Sequence, residues 1–189
     1  MEKIFQKVRE DGINHKKAPN TYVGALFSNP PSFIKKVEEK IPREKLLVLF
    51  IGSEFEEESG QSRDLLNKMI QAMKLSNDEH TLLEVEGKLS EFAEEEKRQK
   101  LEEIKGQILR KRPSVIVTLG ASASNLLLEG QERLSKIHGN FFPRTFSGNF
   151  HTQIVPLFHP NFLLINPAMK KSAWMDMQKI MDFVGKPLA

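Results

Sequence analysis

A histidine and a carboxylate each follow an apolar run in this sequence. His159 comes directly after the run that ends at Phe158, and Glu54 comes two residues after Gly52 closes an earlier run. A neutral imidazole can donate a hydrogen bond to a developing anion, and a carboxylate can act as a base or face a cation. Plainer interpretations stay open, because His159 can cap a strand or bind water and Glu54 can belong to a solvated loop.

The loop after Gly52 is strongly acidic. Its carboxylates are Glu54, Glu56, Glu57 and Glu58. No His accompanies them at ligand spacing, so no metal site is predicted. The negative charges of this loop would repel the phosphates of a DNA backbone. Phe55 lies among them and either stacks on a base or packs against the domain.

Apolar runs predict the strands that position these residues. Leu46–Ile51 and Pro113–Leu119 are almost continuously apolar, which is typical of parallel strands buried on both faces. A weaker strand is predicted at Thr81–Val85 and a fourth at Gln153–Phe158. Residues 131–152 predict an irregular loop or a short hairpin.

Helical spacing of apolar residues alternates with these strands. Four helices are predicted, at Leu65–Met73, within Ser90–Arg112, at Ala121–Leu128 and at Lys170–Val184. Ser62 is the predicted N-cap of the first helix, and Gly130 is predicted to end the third. His159–Pro167 is predicted to be a loop. We therefore expect a three-layer α/β/α sandwich with a four-stranded, mainly parallel sheet.

Ligands of such sheets bind beyond the carboxyl ends of the strands. The loops Gly52–Gln61, Gly120–Ser122 and His159–Pro167 are therefore expected to share one edge. Residues 46–189 form the predicted domain, and residues 1–45, rich in Pro, form a wrapping N-terminal segment.

Composition excludes several classes of protein. A length of 189 residues suits a single domain, and the absence of Cys excludes disulfide scaffolds, thiolate zinc sites, iron–sulfur clusters and cysteine nucleophiles. A net charge of +3 permits contact with nucleic acid without demanding it. No apolar run is long enough to span a bilayer or to form a signal peptide, so a cytoplasmic location is expected.

Spacing in the C-terminal part resembles a known family. The stretch Val155–Pro167, followed by Trp174 and Asp176, resembles the last motif of the uracil-DNA glycosylase superfamily, with the iron–sulfur-containing branch nearest. Three further blocks occur in that family's order: Leu49–Gly52, Gly60–Leu66 and Pro113–Leu128. The resemblance covers roughly residues 46–184.

The resemblance implies a function for the residues named above. The resemblance implies a DNA glycosylase that acts on deaminated bases. In it, His159 would stabilise the departing base anion, and Glu54 would position water or face the sugar cation. The residues that would contact the substrate are Gly52, Ser53, Phe55, Gly60, Ser62, Pro160 and Asn161. DNA is the implied partner, with no cofactor, no metal and no membrane.

Several positions depart from the family pattern. Glu58 replaces an aromatic residue that stacks on the base, Leu83 replaces an Asn that reads it, and Ile165 replaces a basic residue near DNA. The cysteines that hold the cluster are missing as well. An alternative therefore stays open, in which an inactive member of the fold serves as a DNA-binding or protein-interaction module.

Overall fold

Five strands form one sheet in the computed structural model of the chain, which describes residues 47–55 and 60–188. In chain order the elements are β1 (Val48–Ser53), α1 (Gln61–Ala72), β2 (His80–Val85), α2 (Glu94–Lys111), β3 (Val115–Leu119), α3 (Ala121–Leu128), α4 (Leu134–Ile137), β4 (Phe142–Phe146), β5 (Phe150–Leu157), α5 (Pro160–Ile165), a 3₁₀ turn (Pro167–Met169) and α6 (Lys170–Phe183). The predicted wrapping segment 1–45 and Glu58 lie outside the described residues.

The sheet is mainly parallel, as predicted, but it has one strand more than expected. The strand order is β2-β1-β3-β5-β4; the first four strands run parallel and β4 pairs antiparallel with β5. Residues 142–157 thus form the hairpin that the sequence left open against an irregular loop. The predicted count of four strands is wrong because this hairpin adds an edge strand.

Helices cover both faces of the sheet. Along β1, Val48 and Phe50 pack toward α1 and α6, whereas Leu49 and Ile51 pack toward α2 and α3, and all four are buried. A strand buried on both faces does not alternate apolar and polar residues, because neither of its faces meets solvent. This explains the continuous apolar runs in the sequence. The predicted three-layer α/β/α architecture is confirmed.

The structure corrects several helix ends. α1 begins at Gln61 after Gly60, which adopts a left-handed conformation (φ 64°), so Ser62 lies inside the helix and is not its N-cap. α3 ends at Leu128 because Glu129, and not Gly130, takes the left-handed conformation (φ 53°). Residues 160–165, predicted as a loop, form the short helix α5.

The charged helix α2 presents a solvated face. Ile104 and Ile108 are its buried residues, and Leu101 packs partly buried beside them. Ion pairs one turn apart cover the outer surface: Lys97–Glu94, Arg98–Glu95 and Lys100–Glu103. Among the described helices, none combines the length and the apolar character needed to cross a membrane.

A polar cluster fixes the C-terminal end of the domain, and it predicts acid sensitivity. Burial alone would raise the pKa of Glu79, but hydrogen bonds from Lys186 and from Ser76 outweigh it and lower that pKa to about 2. A depressed folded-state pKa gives stability that is present above pH 4.5 and is lost as the pH falls toward 2.

We expect Glu79→Gln to remove about 1 kcal/mol of stability at pH 7, allowing for solvent screening of this pair. The loss should shrink as the pH falls toward 2, and urea unfolding across pH 7 to 2 measures it. The exposed residue Glu132, changed to Gln, serves as the control. A Glu79→Gln variant that follows the wild-type pH dependence throughout would contradict the assignment.

Candidate functional site

Three strand ends meet at the predicted edge of the sheet. A Cβ added to Gly52 would lie 3.2 Å from the Cβ of Leu119, and one added to Gly120 would lie 3.3 Å from the Cβ of His159. Gly120 also has a φ of 89°, a conformation that other residues rarely adopt. The loops after β1, β3 and β5 therefore share one edge, as the topology predicts.

His159 precedes α5 and caps it with its own ring. The Nδ1 atom accepts a hydrogen bond from the backbone N–H of Asn161 at 3.2 Å. Pro160, the first residue of α5, suits that position because its missing N–H has no partner to lose there. The other ring nitrogen, Nε2, is buried and makes no well-formed hydrogen bond among the described residues, although the backbone of Ser53 lies on its side of the ring.

Burial keeps the ring of His159 neutral near pH 7. Desolvation lowers its pKa below the usual value of 6.5, and the backbone of Ser53 and the negative charge of Glu84 oppose this only in part. Glu84 lies close because the β1–β2 register pairs it with Gly52. A neutral ring that accepts at Nδ1 carries its proton on Nε2, so Nε2–H is a donor.

This burial predicts a pH dependence of stability. The unfolded chain takes up a proton at residue 159 before the folded protein does, so the stability contributed by the neutral ring is complete above pH 6.5 and is lost as the pH falls below it. We expect His159→Gln to flatten the fall in unfolding free energy between pH 7.5 and pH 5. His151→Gln, at an exposed position, is the control. Equal slopes for His159→Gln and the wild type would refute the prediction.

Phe55 is part of this site and is not exposed. Its ring centroid lies 4.7 Å from that of His159, and only 4% of the residue is accessible. A Cβ on Gly52 would approach the Phe55 ring at 3.1 Å, so the absence of a side chain there makes room for it. Of the two predicted alternatives, the structure shows packing against the domain.

An arginine and a glutamate join the site from neighbouring elements. The guanidinium of Arg63 lies 5.5 Å from the centroid of the Phe55 ring and pairs with Glu84 at 2.7 Å. These contacts connect α1, β2 and the loop after β1. Sequence analysis missed both residues, and a single sequence carries no signal that pairs side chains 21 positions apart.

Glu54 contributes its backbone to the site. It adopts a left-handed conformation (φ 62°), and its carbonyl accepts a hydrogen bond of 2.7 Å from Nδ2 of Asn161. Its side chain is exposed, whereas Ser53 before it is buried. The structure thus brings Glu54 and Asn161 together, and the predicted role of the Glu54 carboxylate stays a prediction.

Gly60 and Ser62 are less closely connected to His159. Within the part of the chain that the structure describes, no heavy atom lies within 4 Å of a Cβ placed on Gly60, so that glycine serves the backbone turn before α1. Ser62 is fully buried in α1, and its Oγ has no hydrogen-bond partner among the described residues. Their predicted contacts with substrate remain untested.

A comparison with protein families identifies the superfamily of the chain. The family model described as the uracil DNA glycosylase superfamily matches residues 18–178, which is most of the chain. The chain belongs to the uracil DNA glycosylase superfamily. The mainly parallel sheet with helices on both faces agrees with that membership. His159 and Gly52, which carried the resemblance, lie within the matched range.

One feature of related glycosylases does not fit this chain. The iron–sulfur branch of the superfamily holds its cluster on cysteines, and this sequence contains none. Thiolate ligation of such a cluster is therefore impossible here. Two apolar clusters, one on each side of the sheet, form the core of the domain.

The domain has a groove that lies away from the residues predicted for the glycosylase site. This groove of about 710 Å³ runs between α2 and α3, with Leu89, Leu101 and Leu126 among its lining residues. None of the predicted site residues lines it. Leu83, predicted from the resemblance to replace the superfamily's base-reading amide, is partly buried against the core on this side of the sheet.

A buried carboxylate, that of Asp176, is connected through His138 to the residue that precedes His159. Asp176 of α6 is 3% exposed, accepts from Nδ1 of His138 at 2.5 Å and pairs with Lys179 at 2.9 Å. The ring of His138 lies 4.5 Å from that of Phe158, the residue before His159. The Asp that belongs to the superfamily-like motif is thus a structural anchor for the site.

Proposed function

We propose that this protein excises deaminated bases from DNA by hydrolysing their N-glycosidic bond. The observation that carries the proposal is the buried ring of His159 at the carboxyl edge of the sheet, whose Nδ1 accepts from Asn161 and whose Nε2–H is thereby fixed as a donor. A donor that is already oriented stabilises charge that develops only as the reaction proceeds, without reorganisation at that moment. Membership in a superfamily that acts on DNA makes DNA the partner class.

The chemistry requires two charges to be stabilised together. As the bond between C1′ and the base nitrogen breaks, its electron pair moves to the base, which becomes an anion with charge on its carbonyl oxygen. His159 donates to that oxygen through Nε2. The sugar becomes cationic at C1′, water forms the new C–O bond, and the water loses a proton. The reaction needs the base to be turned out of the stack.

We assign the water and the sugar cation to Glu54. Its backbone is held beside Asn161 by the 2.7 Å hydrogen bond to its carbonyl, and its carboxylate is exposed to the solvent from which water enters. A carboxylate there can accept the proton from water and face the cation. We place the reaction in the cytoplasm.

Uracil is expected to be excised more slowly than by cluster-containing relatives. An aliphatic side chain, Leu83, stands at the position of the amide that reads uracil in the superfamily, and Glu58 replaces the stacking ring. A lost stacking ring forfeits about 1–3 kcal/mol of base binding. Phe55 lies against His159, so it compensates only if its ring moves.

The burial of Phe55 against His159 favours the second candidate, a member of the fold without catalysis that binds DNA or a protein. In that case the ring fills space beside the imidazole that a base would need. The two candidates differ in one measurable respect, which is the formation of abasic sites.

A single-turnover assay separates the candidates. Oligonucleotides that carry one uracil, hypoxanthine or xanthine, single-stranded and double-stranded, are incubated with excess protein, and abasic sites are cleaved with alkali. The same oligonucleotides without a damaged base are the control. We expect cleavage at the damaged position with at least one of these bases. No cleavage of any of them would favour the second candidate.

A further inference from the structure

A shallow apolar groove lies between α1 and α6, and we call it the α1–α6 groove. Its volume is about 180 Å³, and every residue that lines it is apolar except for two lysines, Lys68 and Lys170. None of the residues predicted for the glycosylase site lines this groove. It is therefore a surface whose role the proposed function leaves unexplained.

The residues that line the groove recur with helical spacing on both helices. Those of α1 are Leu65, Lys68, Met69 and Ala72, and those of α6 are Lys170, Ala173 and Met177. Each set spans seven residue steps and so forms one stripe along its helix, about 10 Å or two turns long. Two stripes side by side present ridges and grooves into which the side chains of a third helix can pack.

The size of the groove suits side chains and not a whole small molecule. Sites that enclose a small ligand have volumes of roughly 300–1,000 Å³, which exceeds the volume of this groove. Ala72 and Ala173 contribute only methyl groups, so an incoming apolar side chain can reach Met69 and Met177, which are 7% and 4% exposed. An amphipathic helix fills such a groove with apolar side chains spaced one turn apart.

The two lysines of the groove differ from other lysines of the domain. Within the part of the chain that the structure describes, neither Lys68 nor Lys170 forms an ion pair with a carboxylate. On the opposite side of the sheet, Lys97, Lys100 and Lys105 of α2 each pair with a glutamate one turn away. Two unpaired positive charges beside an apolar surface are complementary to an apolar ligand that also carries negative charge.

We propose that the α1–α6 groove binds an acidic amphipathic helix of a partner protein. Aliphatic or aromatic side chains one turn apart on that helix enter the groove, and carboxylates beside them pair with Lys68 and Lys170. DNA would satisfy the two lysines but not the floor between them, because phosphates bind polar donors and this floor is apolar. The interaction requires no base excision, so it stands apart from the proposed function.

Two synthetic peptides that differ only in charge test the proposal. Both have about 15 residues, enough to form a helix in water, with leucine at intervals of three and four. One carries glutamate beside the leucines and the other carries lysine. The full chain is titrated with each peptide at low ionic strength, since salt screens surface charges. We expect the acidic peptide to bind about tenfold more tightly, because the basic peptide meets two like charges.

Methionine methyl groups locate the bound peptide. In protein labelled with ¹³C at its methionine methyls, the acidic peptide should shift the NMR signals of Met69 and Met177, which line the groove. Met175 is 54% exposed and does not line the groove, so its signal should stay in place. Binding that shifts Met175 while Met69 and Met177 stay unchanged would overturn the proposal.

Charge-reversal variants assign the selectivity to the two lysines. Lys68→Glu combined with Lys170→Glu should reverse the preference, so that the basic peptide binds more tightly. Lys171→Glu changes the neighbouring exposed lysine outside the groove and should keep the wild-type preference. All three positions are exposed on helices, and circular dichroism checks that each variant folds.

Three outcomes contradict the proposal. The first is a wild-type protein that binds neither peptide at millimolar concentration or binds both equally. The second is a preference that the double variant leaves unchanged. The third is a double variant that keeps the peptide preference but loses affinity for a double-stranded oligonucleotide, which would assign the two lysines to DNA.

Discussion

Excision of a deaminated base by the His159→Ala variant is expected to be about 100-fold slower than by the wild-type protein, or slower still. The substitution removes the buried donor Nε2–H, which acts chiefly when the departing base carries negative charge. Single-turnover rates with protein in excess measure the effect on the chemical step. DNA affinity should change little, because the neutral ring contributes no charge to phosphate binding.

Two control variants distinguish loss of the hydrogen-bond donor from loss of the folded structure. His159→Gln keeps an N–H donor on a side chain of similar reach and should recover part of the rate. His151 is an exposed histidine that is hydrogen-bonded to Thr145 on the β4–β5 hairpin. The His151→Ala variant should excise the base at the wild-type rate. If His159→Ala is as fast as the wild type while it folds normally, His159 has no role in the reaction.

The central strands were predictable because burial leaves a strong pattern. β1 and β3 are covered by helices on both faces, so nearly all of their residues are apolar and the runs are visible without any alignment. β4 gives no such pattern. It lies at the edge of the sheet and has three exposed central residues, one of which is Pro143. β4 forms by pairing antiparallel with β5.

α5 was missed for a similar reason. It has only six residues, too few to show helical periodicity, and it begins with a proline. What starts it is the side chain of His159, which accepts from Asn161. Ser62 was misplaced because a serine before an apolar repeat is a common N-cap, whereas here the chain turns at Gly60.

The shared edge of the site followed from topology, but its internal contacts did not. Parallel strands bring their carboxyl ends together, which placed the loops at Gly52 and His159 side by side. Arg63 of α1 lies over the ring of Phe55 and is held by its ion pair with Glu84 of β2. Contacts of that kind arise only when the tertiary structure forms.

Asp176 shows how a motif residue can act through structure. Its carboxylate holds His138 and Lys179, and the ring of His138 packs on Phe158 immediately before His159. The same region is tied to β5, because the N–H of Gly139 donates to the carbonyl of Pro156. We therefore expect the orientation of His159 to depend on the space available around Asp176.

Gly139→Ala tests that dependence and should be among the most destabilising single substitutions in the domain. A Cβ at Gly139 would overlap Oδ1 and Cγ of Asp176, and the residue has a left-handed φ of 69°. The backbone strain costs about 1–2 kcal/mol, and displacement of a buried, hydrogen-bonded side chain costs about 1–3 kcal/mol more. Urea unfolding at pH 7 should show a total loss of about 3 kcal/mol.

Gly148→Ala is the matched control for this substitution. Gly148 has nearly the same φ, 72°, but no heavy atom of the described residues lies within 4 Å of the added Cβ, so only the backbone strain of about 1–2 kcal/mol applies. The difference between the two variants isolates the contact with Asp176. Because Asp176 supports Phe158 through His138, the Gly139 variant should also lose excision activity while Gly148→Ala keeps it. Equal losses of stability in the two variants would show that Asp176 yields without cost, and equal excision rates would show that His159 does not rely on it.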